Sequence, residues 1–163
     1  MRQLQPSSKN CFVCGVENPS GLHMRFYETE TDEVLANYTI PAQFQGYPGI
    51  AHGGIIAAML DEVGSRTFFR GDPPRLVVTA KMNVRYRRPV PTGVELRLTG
   101  KRVSDNGRVC LASGQIYHPD GSLLAEAELT LVEVQPDFFG GFGPAEEQGW
   151  RVYPEADAQL EDV

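Results

Sequence analysis

Between His52 and Phe69 the apolar positions recur at steps of three and four. Ile56, Met59, Leu60, Val63 and Thr67 form one stripe on a helix. Arg70-Gly71-Asp72-Pro73-Pro74 supplies the stop: a cationic last turn, a glycine and two prolines. Beyond Pro74 the period drops to two. Leu76, Val78, Ala80, Met82, Val84 and Tyr86 fall on one face of a long strand, and Thr79, Lys81, Asn83, Arg85 and Arg87 fall on the other. Val94–Val103 and Arg108–Tyr117 flank Asp105-Asn106-Gly107, a hairpin signal because Asn-Gly tolerates positive φ. A second turn at His118-Pro119-Asp120-Gly121 leads into a strand over Ser122–Val134. Upstream, His23–Glu28 and Val34–Ile40 read as two strands joined by the acidic turn Thr29–Glu33, and Pro41–Ala51 reads as loop. One long helix among antiparallel strands makes an α+β domain over 23–135, preceded by a polar segment 1–22 and followed by a tail 136–163.

Charge sharpens that division. The 163 residues carry 15 basic and 21 acidic side chains, a formal net charge of −6. The tail after Gln135 holds seven acids against Arg151, so residues 1–135 are neutral overall. Within them, residues 75–108 hold nine basic side chains against Glu95 and Asp105. Overall acidity argues against a nucleic-acid binder, while the basic stretch leaves room for a local anion site. No apolar run has the ~18 residues of a membrane span and the N-terminus lacks an apolar signal stretch, so a cytoplasmic protein is expected. The tail combines acids with Phe138, Phe139, Phe142, Trp150 and Tyr153; its last ten residues read as disordered, but its aromatics are too many for solvent, and part of it should dock on the core or on a partner subunit.

The segment with chemical potential is Gly46-Tyr47-Pro48-Gly49-Ile50-Ala51-His52-Gly53-Gly54 and the helix that follows. Gly53 and Gly54 at a helix start leave N–H groups unshielded at the positive end of the dipole, able to hold an oxyanion or a polarised carbonyl. The pair equally suits a tight loop-to-helix turn with no chemistry. Asp61 lies roughly 180° from the centre of the apolar stripe, near Ala57, Ala58, Gly64 and Ser65. An aspartate among small residues suggests close approach by something; a solvent-facing acid is the plainer reading. Gly53 and Asp61 are about 12 Å apart along one helix. They can meet on one substrate only if one of them comes from a second copy, which points to a symmetric dimer with two interfacial sites.

His52-Gly53-Gly54 with Asp61 nine positions after the histidine, on the one long helix of a strand-rich chain, resembles the hotdog-fold acyl-CoA thioesterases of the 4HBT superfamily, and most closely their phenylacetate-pathway (PaaI-like) branch. The likeness covers roughly residues 11–135 and includes the Cys11-Phe12-x-Cys14-Gly15-x-x-Asn18-Pro19-x-Gly21-Leu22 pattern. The resemblance implies a hotdog fold, a long central helix wrapped by a five- to six-stranded antiparallel sheet, assembled as homodimers or dimers of dimers. It implies Asp61 as general base or nucleophile, the Gly53 N–H polarising the thioester carbonyl with Gly54 beside it, His52 orienting the loop or the thioester, and Thr79 placing the water. Where many relatives have asparagine, six residues before the motif histidine, this chain has Gly46, with Gln45 or Gln43 as substitutes. The substrate would be an acyl- or aryl-acyl-CoA, with no separate cofactor. Lys81, Arg85, Arg87, Arg88, Lys101 and Arg102 could receive the polyanionic coenzyme, with Arg87 and Arg88 favoured because they precede the Pro89 turn at the strand end. A non-catalytic acyl-CoA-binding module is the alternative, motivated by the missing asparagine. No Gly-x-Ser-x-Gly elbow is present.

The cysteines lead elsewhere. Cys11 and Cys14 offer two thiolates where structural zinc takes four ligands, and His23 and His118 are the only other plausible chelators, so a reduced knuckle without metal is expected. Cys110 sits mid-strand as a small buried residue. No metal, nucleic acid or membrane is called for.

Overall fold

The computed structural model describes residues 2–71, 74–135 and 149–154. The strands are β1 (Gln3–Leu4), β2 (Tyr27–Glu28), β3 (Val34–Thr39), β4 (Gln45–Tyr47), β5 (Ile50–Ala51), β6 (Val77–Tyr86), β7 (Glu95–Asn106), β8 (Val109–Tyr117) and β9 (Leu123–Glu133). The helix α1 (Gly53–Ser65) lies between β5 and β6. Seven strands form one antiparallel sheet in the order β1-β2-β3-β7-β8-β9-β6, and β4-β5 is a separate small hairpin. The expected five- to six-stranded sheet is met by five long strands; the other two, β1 and β2, are two residues each. Among the described residues no helix is long and apolar enough to cross a membrane.

The apolar stripe of α1 does what its spacing requires. Ile56, Met59, Leu60 and Val63 are buried against the sheet, sharing one core with Leu96, Leu98 and Leu129. How close the helix can come is set by two strand glycines that face each other across β7 and β8, Gly100 and Gly114. A Cβ on Gly100 would overlap the Val63 carbonyl, and one on Gly114 would stand 2.8 Å from the Leu60 carbonyl. The backbone of α1 therefore rests directly on backbone of the sheet, a use of mid-strand glycine that costs strand propensity for close approach.

Several boundaries differ from the pattern-based expectation. The helix stops at Ser65 rather than Phe69, because Thr67, Phe68 and Phe69 each donate three residues back, to Gly64, Ser65 and Arg66. That is the tighter 3₁₀ spacing, and it keeps Thr67 and Phe68 buried without continuing the α-helix. The strand expected over His23–Glu28 shrinks to its last two residues: His23 has φ 54°, and Met24 N–H pairs with Val13 instead of a neighbouring strand. The loop expected over Pro41–Ala51 contains a 3₁₀ turn (Ala42–Phe44) and the β4-β5 hairpin. The hairpin after β7 turns one residue later than expected: Asn106 pairs with Val109, and Gly107, at φ 74°, takes the first central position.

The N-terminal segment is part of the same body, since Val13, Cys14 and Leu22 join the core cluster. Of the tail, residues 136–148 and 155–163, with Phe138, Phe139 and Phe142, lie outside the described residues. Trp150 and Tyr153 are inside them and docked. Arg151 bridges to Ser7, Trp150 packs 4.7 Å from the Phe69 ring, and Tyr153 is buried with its hydroxyl on the Gly149 carbonyl at 2.7 Å.

Candidate active site

A shift of register in β6 organises the site. Thr79 faces Leu131 of β9 and Lys81 faces Thr130, so Ala80 is an extra residue and the side-chain alternation changes phase there. Thr79 before the bulge, and Met82, Val84 and Tyr86 after it, point to the helix side; their β9 partners Leu131, Leu129, Ala127 and Ala125 are all buried. This corrects the single-face reading, which put Thr79 with Lys81 and Arg85 on the polar side. The bulge turns the Thr79 hydroxyl onto α1, where Oγ1 donates to Asp61 Oδ1 at 2.6 Å.

Asp61 is half-buried and has no cationic partner among the described residues. Burial pushes its carboxyl above the ordinary carboxylate value; the Thr79 hydrogen bond opposes this, and the negative charge of Glu62 adds to it. Such a carboxylate is more basic than a solvated one, with one oxygen oriented by Thr79.

At the other end of the helix, His52 is the N-cap, with φ −64° and ψ 137°. Its Nδ1 accepts the Gly54 N–H at 3.0 Å. A neutral ring that accepts at Nδ1 carries its proton on Nε2. Its carbonyl takes the Ile55 and Ile56 N–H groups at 3.0 and 3.2 Å. Among the described residues, that leaves the Gly53 N–H as the first-turn donor without an acceptor, at the positive end of the helix dipole. Gly54, named beside it from the sequence, has its own N–H engaged by the cap. A Cβ at Gly54 would stand 3.2 Å from His52 Nδ1, so glycine there serves the cap. Sequence reasoning missed Tyr86, whose hydroxyl donates to the Gly53 carbonyl at 2.9 Å. The signal was a tyrosine ending a strand, a ring with a polar tip that seeks a partner.

The approach loop is equally specified. A Cβ on Gly46 would come within 3.3 Å of His52 Cα, so Gly46 packs here against the cap itself. Gln45 Oε1 accepts the Gly49 N–H at 3.2 Å and closes the β4-β5 turn.

Much of the basic stretch is spent within the fold. Arg75 pairs with Asp105 and Glu133, and Lys101 with Glu33. Arg102 stacks on Phe68 and donates to the Thr67 carbonyl, which removes it from the expected anion surface. Arg87 pairs with Glu126 through Nε at 2.9 Å. Lys81, Arg85 and Arg88 are exposed and, among the described residues, make no ion pair. Arg87 and Arg88 follow Tyr86 directly, which sets them at the Gly53 end of the helix.

Residues 48–125, from the approach loop into β9, match the thioesterase superfamily. Over 139 residues, 83% of the chain, it is 26% identical to the acyl-coenzyme A thioesterase THEM4 of Rattus norvegicus, of which it spans 59%. A crystal structure of the thioesterase superfamily protein RHA08564 superposes with a TM-score of 0.65 and 31% identity, over 71% of this chain and 56% of that one. The Streptococcus mutans protein smu.793, solved bound to acetyl CoA, shares the fold at a TM-score of 0.61 and 19% identity, covering 68% and 88% of the two chains.

Proposed function

We propose that the chain is a member of the thioesterase superfamily, whose family model matches residues 48–125, and that it hydrolyses an acyl- or aryl-acyl-CoA to the free acid and coenzyme A. The observation that carries this reading is the Thr79–Asp61 contact at 2.6 Å, which leaves one oriented, half-buried carboxylate that pairs with no cation among the described residues. Asp61 takes a proton from water as the oxygen attacks the thioester carbonyl. The Gly53 N–H stabilises the oxyanion, and the thiolate departs when the carbonyl reforms. Direct attack by Asp61 through an anhydride would use the same groups. His52 acts through the loop, capping the helix so that the Gly53 donor is presented. Thiolate is a good leaving group, so a full nucleophilic triad is unnecessary.

Gly53 and Asp61 stand about 12 Å apart on one helix, and the proposed site is shared between two copies. The edge strand β6 supports this. It is ten residues long, carries Tyr86 and Thr79 on its helix side and has no neighbour on its outer edge among the described residues. A second copy placed antiparallel along β6 and α1 would set Gly53 of one protomer opposite Asp61 of its partner and close the open edge. Arg88, with Arg87 released from Glu126 or sharing it, would receive the phosphates of the coenzyme; the acetyl CoA held by the Streptococcus mutans relative is consistent with that ligand class.

Thiol release measured across short, medium, long-chain and aryl-acyl-CoA esters tests the reading. Turnover of at least one class is expected. CoA esters that bind without hydrolysis anywhere in the panel would replace it with a non-catalytic binding module, and a monomer at micromolar concentration would defeat the shared site.

A further inference from the structure

The two cysteines of the N-terminal segment do not stand alone in the fold. Cys11 Sγ, Cys14 Sγ and a carboxylate oxygen of Glu62, on α1, all lie within 4.8 Å of one another. The Cys11 Sγ–Glu62 Oε2 separation is 3.9 Å. Two ligands of a tetrahedral zinc ion, at the usual sulfur and oxygen bond lengths, stand roughly 3.6–3.8 Å apart. A small contraction would close the cluster on an ion.

The backbone is arranged for thiolate. Val13 and Cys14 N–H groups both point at Cys11 Sγ, at 3.3 and 3.5 Å, and Gly15 N–H closes the turn on the Cys11 carbonyl at 2.8 Å. A side chain at Gly15 would overlap the Cys11 backbone, so only glycine allows this turn. Donors aimed at sulfur favour its charged form, which is the form that ligates metal. The carboxylate is also held in place. Arg66 Nε donates to Glu62 Oε1 at 2.8 Å and leaves Oε2 facing Cys11. Arg66 is itself buried, donating to the Pro6 carbonyl and enclosed by the rings of Phe26, Phe69 and Trp150. An outer-sphere donor that orients a ligating carboxylate is a common part of metal sites. The charges close as well: two thiolates and Glu62 against Arg66 leave −2, which one divalent cation neutralises. His23, weighed from the sequence as a chelator, is turned to the Asn18 carbonyl and takes no part.

We infer that Cys11, Cys14 and Glu62 form a binding site for a zinc-type divalent ion, with water as the fourth ligand, clamping the N-terminal segment to α1. Two thiolates select such an ion over magnesium or calcium. The site is separate from the chemistry at Asp61 and Gly53 and does not depend on the proposed hydrolysis.

Cobalt(II) is the probe. The reduced full chain, stripped with chelator, is expected to take up one equivalent of Co²⁺ with a sulfur-to-cobalt charge-transfer band and tetrahedral visible bands, both abolished by equimolar Zn²⁺. Cys11→Ser and Cys14→Ser should each remove the charge-transfer intensity of one thiolate, and Cys110→Ala should keep the whole spectrum. Glu62→Gln, which retains an oxygen for Arg66, should weaken Co²⁺ binding about 10- to 100-fold. If the cysteine variants fail to fold, zinc protection of the wild-type thiols against a thiol reagent, lost in Glu62→Gln, gives the same answer. Folded, reduced wild-type chain with no charge-transfer band at a hundredfold excess of Co²⁺ would overturn the site. So would a purified chain whose intact mass shows Cys11 and Cys14 joined as a disulfide that no reductant-plus-metal treatment converts to a cobalt complex. Unchanged affinity in Glu62→Gln would remove Glu62 and reduce the cluster below a site.

Discussion

Asp61 and Glu62 are consecutive acids on one helix, and they live in different surroundings. A rotation of about 100° sends the first toward β6 and the second toward the N-terminal segment. Among the described residues Asp61 is hydrogen-bonded by the hydroxyl of Thr79, and burial leaves it more basic than an ordinary carboxylate. Glu62 meets the guanidinium of buried Arg66 and the sulfur of Cys11. A neutral donor orients a carboxylate and leaves it reactive, whereas a buried cation holds it as structure. Two residues of similar chemistry are thus divided by their partners into the proposed base and the proposed clamp.

Removing each partner separately is the way to break that contrast. Asp61→Asn should give the largest effect, a loss of roughly 10²- to 10⁴-fold in kcat, the range a positioned general base supplies. Its Tm should hold or rise, because a carboxyl that keeps its proton more tightly in the folded state than in the unfolded chain works against folding once ionised at neutral pH. Thiol release and a melting curve on the same sample decide it; a fall in both would mean Asp61 is structural. Arg66→Met should do the reverse, costing about 3–5 kcal/mol of stability in denaturant titration, because Glu62 then loses its paired charge. A change below 1 kcal/mol would show the pair to be no more than a surface bridge.

Smaller effects sharpen the picture. Gly114→Ala should destabilise by about 1–3 kcal/mol through contact with the Leu60 carbonyl, read as a lower denaturant midpoint with an unchanged slope. An unaltered midpoint would mean the helix can lift from the sheet at no cost. Thr79→Val is the subtlest. With Asp61 as the proposed base the rate requires its ionised form, so kcat/KM should fall as pH drops through its raised value. Loss of the hydroxyl removes a bond that lowers that value, so the acid limb should move to higher pH. A limb that stays in place would detach Thr79 from the base.

Much of the fold was legible because it follows from local pattern. The stripe Ile56, Met59, Leu60 and Val63 is buried as its spacing demands, and the two-residue period marks β6 through β9. The unshielded helix start and the isolated aspartate were also readable, since a glycine pair and an acid among small residues are visible without coordinates. The expectation that tail aromatics dock was met at Trp150 and Tyr153. What escaped was long-range. Thr79 was placed on the wrong face because a bulge is a property of two strands in register, and nothing in one strand announces which residue is extra. Gly100 and Gly114 look unremarkable in separate strands until pairing sets them opposite each other beneath α1. The anion surface shrank once Lys101 and Arg102 found partners far along the chain.

Periodicity and turn residues act over a few positions, so the order of helix and strands and the candidacy of Gly53 and Asp61 could be read from residue types alone. Partnership acts across tens of positions, through register and packing. The tertiary structure alone decided that Thr79 serves Asp61, that Tyr86 reaches Gly53, and that Glu62 turns away from the site to meet Arg66 and two cysteines. Side-chain pairs of that kind are made only when separate segments are brought within bonding distance by the closing of the core.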